Sequence, residues 1–109
     1  MTEQEWLAQS DEKKNEWIAI NIAGWELKGG VLLSPIGYIG SMNLTNWQGF
    51  GMIVDKCFDD IRLVFFKNGV RLCVAKEPTH QPEEYICVKA PTPWEAASIA
   101  YGKMVGVIK

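Results

Sequence analysis

A chain of 109 residues, 48% hydrophobic and 22% charged, has the size and balance of one globular domain, 1–109. Its net charge of -2 gives no basic footprint for nucleic acid, and no apolar run reaches the ~18 residues of a membrane span. A core this small is thin, so association into a homo-oligomer is expected.

The first residues, MTEQEWLAQSDEKKNE, are acidic and polar, the opposite of a secretory leader. Residues 1–10 read as a loosely ordered segment with Trp6 exposed. Ser10 then caps a first helix, with Asp11 and Glu12 in its first turn, where they favour the helix dipole. Trp17, Ile18 and Ile22 share one side, and Gly24 stops the helix. Residues 25–43 hold four glycines and a proline, which argues for a loop with one short strand near Val31.

The stretch TNWQGFGMIVDKCF predicts a second helix, with Thr45 and Gln48 as a capping box. Trp47, Phe50, Gly51, Val54, Cys57 and Phe58 follow helical spacing. Gly51 falls on that stripe, which implies a close approach to another backbone.

The stretch IRLVFFKNGVRLCVAK predicts a hairpin turning at Asn68-Gly69, with Phe66 opposite Arg71 and Phe65 opposite Leu72. One face carries Leu63, Phe65, Leu72 and Val74. The other carries Val64, Phe66, Cys73 and Ala75, with Arg62 and Arg71 towards its ends. Both faces are apolar, so each is expected to need a cover. A third strand follows over 84–90, reached through the polar segment EPTHQPE. The last helix is capped by Thr92, with Pro93 at its first position and Glu95 three after the cap. Its alanines allow close packing on the sheet, and Trp94, Tyr101, Met104 and Val105 supply bulk. The expected class is α+β: a small antiparallel sheet of three or four strands with helices packed on both faces.

Chemistry is sparse. The one histidine, His80, lies in a polar loop, and no nucleophile elbow or phosphate loop is present. Cys57, Cys73 and Cys87 lack the pair spacing of a metal site and read as free buried thiols of a cytosolic protein. The carboxylates of Asp59-Asp60 and Glu83-Glu84 border turns and read as solvated. The expectation is therefore a protein that is not an enzyme and carries no metal or cofactor. Of the five tryptophans, Trp17, Trp47 and Trp94 lie on apolar helix faces and read first as core. Arg62 and Arg71 are the best candidates for an anion, with Phe66 and Trp94 as an aromatic wall.

The order of parts resembles a known family. WIAINIAGWE, then LSPIGYI, then TNWQGFGMIVDK, then a hairpin, then APTPWEAASIAYGKM is similar to the phage alpha-beta-alpha sandwich domain family. The resemblance spans roughly residues 12–105. It implies helices on both faces of an antiparallel sheet, and a phage or prophage protein in the bacterial cytoplasm. Some similar phage proteins are homo-oligomeric sponges that hold a cyclic ADP-ribose-type immune signal and so disarm the Thoeris defence. The resemblance thus implies a small nucleotide ligand held without catalysis. The alternative is an inhibitor that acts on a host defence protein, as an anti-CRISPR does, through the acidic N-terminal segment and Trp6.

Overall fold

The computed structural model describes residues 1–29, 31–34, 44–75 and 85–109. The elements run α1 (Glu3–Leu7), α2 (Asp11–Asn21), β1 (Glu26–Lys28), β2 (Val31–Leu33), α3 (Trp47–Cys57), β3 (Asp60–Phe66), β4 (Gly69–Ala75), β5 (Ile86–Ala90) and α4 (Pro93–Met104). The class is the expected α+β, a small antiparallel sheet with packed helices. The segment EPTHQPE, with His80, and the pair Glu83-Glu84 lie outside the described residues. Among the described residues, no helix is long and apolar enough to cross a membrane.

The caps form where short polar side chains meet free N–H groups. Ser10 accepts from the Lys13 N–H at 3.2 Å and opens α2. Gly24 has a φ of 78°, and the Trp25 N–H beyond it bonds to the Ala19 carbonyl at 2.9 Å. A left-handed residue is needed there, which glycine supplies without steric cost. Thr92 accepts from the Glu95 N–H, and Pro93 stands first in α4. For α3 the cap is Asn46 rather than Thr45: the Asn46 side chain accepts from the Gly49 N–H at 3.0 Å.

The N-terminal segment holds α1, opened by a capping box between Thr2 and Glu5. Trp6, expected to be exposed, is wholly buried. Its ring meets that of Trp17 edge-on at 5.7 Å, and the Lys14 ammonium lies 5.6 Å from its centroid. A polar sequence around one large aromatic conceals an anchor, because the burial lies in contacts distant in the chain.

The strand expected near Val31 is β2. It pairs with β1 in a separate two-stranded hairpin, Glu26 opposite Leu33. The main sheet has the order β3-β4-β5, antiparallel throughout. Its hairpin register differs from the expected one by two residues. Phe66 stands opposite Gly69, and Phe65 opposite Val70, so Lys67 and Asn68 form the turn. Gly69 begins β4 with a φ of 149°, and a Cβ there would lie 2.5 Å from the Ala90 carbonyl oxygen. That close approach to β5 draws Gly69 into the strand and out of the turn.

A shift of two keeps every side chain on its face. One face holds Val70, Leu72, Val74, Val88 and Ala90, all buried. Here α4 lies against β4 and β5, with α3 beside it. Ala96, Ala97, Ile99 and Ala100 are fully buried, as expected of small side chains that let a helix lie close. The far side of α4 meets α1 and α2. Lys14 pairs with Glu95 at 2.9 Å with both side chains almost wholly buried, and Lys103 with Glu3 at 2.5 Å. Thus α4 is the central layer. The other sheet face carries the exposed Arg62, Val64, Phe66, Arg71, Cys87 and Lys89. Among the described residues the helices pack against one face of the main sheet rather than the expected two.

The inward side of α3 is the expected stripe only in part: Phe50, Val54 and Cys57 pack half-buried against the core and Phe58 is buried, but the fully buried positions of the helix are others. Gly49 and Ile53 are buried, whereas Gly51 is exposed with nothing within 4 Å of a Cβ placed there. A Cβ at Gly49 would overlap the carbonyl of Leu44, whose N–H is held by the Asn15 side chain of α2. Residues 49–54 are apolar or glycine without a break, so their pattern leaves the rotation of the helix open. Trp47, expected in the core, is 56% exposed.

Candidate ligand-binding face

The open sheet face is built by alternation. Arg62 stands opposite Cys73, Val64 opposite Arg71, and Phe66 opposite Gly69. On β5, Lys89 stands opposite Arg71 and Cys87 opposite Cys73. With the observed register, Arg62 and Arg71 are diagonal neighbours rather than residues at opposite ends of the face. Two of the expected anion ligands therefore adjoin each other, with Phe66 two places along β3 from Val64.

Arg71 and Lys89 form a directly opposed pair of like charges, which destabilises a sheet. Among the described residues neither has a carboxylate partner; the ion pairs are Lys14–Glu95, Lys28–Glu26 and Lys103–Glu3. An anion resting between the two removes the repulsion. A hollow of about 340 Å³ opens beside them at the hairpin end, lined by Phe66, Asn68, Gly69, Lys89 and Pro91. It offers one aromatic face, one ammonium and one side-chain amide.

The other end of the face is already paired. The Arg62 guanidinium lies 5.1 Å from the Tyr85 ring centroid, and the Tyr85 hydroxyl donates to the Asp60 carboxylate. That hydrogen bond holds the Tyr85 pKa above its ordinary value, with burial and the charge of Asp60 adding to it. Of the two arginines, Arg71 is the one without a described partner.

Trp94 is not part of this face. It belongs to α4, beneath the sheet, where its ring lies 6.1 Å from that of Trp47. Trp47 also meets Phe50 at 5.7 Å and Phe65 at 6.2 Å. The aromatic wall expected of Phe66 and Trp94 is thus split between two sides of the sheet. Lys89 was missed by sequence reasoning. No sequence signal marks it, because its place depends on the pairing of β5 with β4.

Cys73 and Cys87, expected as free thiols, form a disulfide across adjacent strands, with Cα atoms 4.1 Å apart. Cys57 is free, and burial pushes its thiol pKa up, partly offset by Lys56. The described residues contain no cluster of three potential metal-binding groups.

No family model matches the chain, and no curated protein matches it. The fold is similar to that of a phage protein from Bacillus cereus ATCC 14579, with a TM-score of 0.68 over 94% of this chain and 93% of that one. The two are 20% identical. A match of this extent shows that the architecture is shared from end to end.

Proposed function

We propose that this is a phage-derived protein that holds a small nucleotide on its open sheet face, by binding alone, and so withdraws a cyclic ADP-ribose-type immune signal in the bacterial cytoplasm. The observation that carries the reading is the opposed pair Arg71 and Lys89 beside Phe66 and the hollow. Two fixed cations match a phosphate or pyrophosphate, and the arginine fork engages it bidentately. Phe66, 55% exposed, offers a ring on which a base can stack. Arg62 extends the cationic surface. Sequestration requires affinity rather than proton transfer, and nanomolar binding corresponds to about -12 kcal/mol. Charge-assisted hydrogen bonds contribute about 1.5–3 kcal/mol each. The shared fold of a Bacillus cereus phage protein agrees with the source.

Calorimetric titration of cyclic ADP-ribose-type nucleotides into the parent, Arg71→Ala and Lys89→Ala tests this. The parent binds, and each variant binds roughly ten- to a hundred-fold more weakly. If the parent binds none of them, an inhibitor acting on a host defence protein becomes the reading to pursue. Such an inhibitor no longer has an exposed Trp6 as its anchor, since that residue is buried.

A further inference from the structure

We infer that β3 is the seam of a homodimer, in which the β3 strands of two copies pair antiparallel and join two three-stranded sheets into one of six. This inference is independent of nucleotide binding. β3 is an edge of the sheet, and among the described residues no strand pairs with its outer side. It is seven residues long, without proline. Such an edge presents a row of unpaired backbone groups, which another strand satisfies. Large apolar side chains flank this edge on both faces. Val64 and Phe66 are 49% and 55% exposed on the open face, and Phe65 and Trp47 are 62% and 56% exposed on the other. A ligand on one face would cover only half of them. A strand added at the edge covers both sets together.

The outward-facing backbone groups can be assigned. The 4.1 Å Cα separation of Cys73 and Cys87 marks a narrow, non-hydrogen-bonded pair. The Cys73 backbone therefore bonds towards β3, at Arg62. By alternation the groups of Ile61, Leu63 and Phe65 point outward. A two-fold axis at Val64 then lets Leu63 of one copy and Phe65 of the other exchange both hydrogen bonds.

The same register is self-complementary in its side chains. On the open face Val64 meets Val64, and the methylene stem of Arg62, whose guanidinium stays over Tyr85, lies against the edge of the second copy's Phe66. On the other face Leu63 meets the second copy's Phe65, next to Trp47. An axis at Arg62 would instead oppose two arginines, which repel. The pattern thus favours a second copy, by an isologous contact that closes as a dimer. The axis runs through the sheet, so both open faces emerge on the same side and form one continuous cationic surface.

Sedimentation at tens of micromolar and cysteine cross-linking test this. The parent sediments as a dimer. Phe65→Lys puts a charge on a side chain that is exposed in the single copy; it keeps the cooperative melt of a folded chain, at the lower midpoint that loss of association brings, and shifts the protein to monomer, with at least about a tenfold rise in the dimer dissociation constant. In a Cys57→Ser background, Val64→Cys cross-links on oxidation, because paired Cα atoms at such a site are about 4.5 Å apart, within disulfide reach. Lys67→Cys does not cross-link, since it lies about six residues from its own copy across the axis. A monomeric parent, a dimer indifferent to Phe65→Lys, or a dimer in which Lys67→Cys cross-links and Val64→Cys does not would each overturn the inference.

Discussion

Leu72 and Arg71 are adjacent in β4, yet one is wholly buried and the other exposed. Leu72 points at α4, among Val70, Val74 and Val88; Arg71 stands on the open face opposite Lys89. On the covered face every neighbour is fixed by packing, and a change in volume is felt as stability. On the open face the cations repel, and the sheet tolerates them because water screens the charge. Two kinds of residue thus alternate along one strand: those that hold the fold, and those free of its packing, which the proposed function assigns to a ligand.

The largest effect is expected behind the covered face, where α4 meets α2. Lys14→Ala leaves Glu95 as a buried charge without its partner and should cost about 3–5 kcal/mol in urea unfolding. Replacing both residues, Lys14→Met with Glu95→Met, should recover most of the loss. A double variant as unstable as the single would show that charge is not the cause.

Leu72→Ala should lower stability by about 2–5 kcal/mol, through lost burial and the cavity left behind. Arg71→Ala should change it by less than about 0.5 kcal/mol, as exposed positions usually do. Nucleotide affinity should move the opposite way, falling for Arg71→Ala and holding for folded Leu72→Ala. Thermal melts beside titrations decide this, and an Arg71→Ala protein that melts as early as Leu72→Ala would erase the distinction between the faces.

The disulfide lies on the open face but acts on the fold. Cys73 and Cys87 are 14 residues apart in sequence, and a loop of that length is worth about 3 kcal/mol in the chain-entropy account. Melting with and without dithiothreitol should show that loss. Disulfides are rare in reducing compartments, so mass spectrometry of protein taken from bacterial cytoplasm should also show whether the bond persists there.

The smallest effects separate two glycines of α3. Gly51→Ala should raise stability by about 1 kcal/mol, since the position is exposed and its Cβ meets nothing within 4 Å. Gly49→Ala should lower it by about 1–3 kcal/mol, because the added methyl pushes against the Leu44 backbone. Equal changes from the two would mean that α3 is rotated.

Local signals were enough for α2, α3, the three strands of the main sheet and α4, though not for α1 or β1, and for the caps at Ser10 and Thr92, the left-handed stop at Gly24 and the sorting of side chains onto two sheet faces. Each depends on a neighbour within about four residues, or on strict alternation, and both are written in the chain. The candidate site was legible in part: alternation puts Arg62, Phe66 and Arg71 on one face, but not beside Lys89. Packing between distant segments set the register that brings the two arginines together, because Gly69 answers to Ala90 on another strand. It also decided the rotation of α3, set by the Leu44 carbonyl; the burial of Trp6, set by Trp17 and Lys14; and the pairing of Cys73 with Cys87, set by two strands whose order no short stretch records. Each of these depends on contacts between residues distant in sequence, and the free energy that selects among them arises only when those segments are packed together.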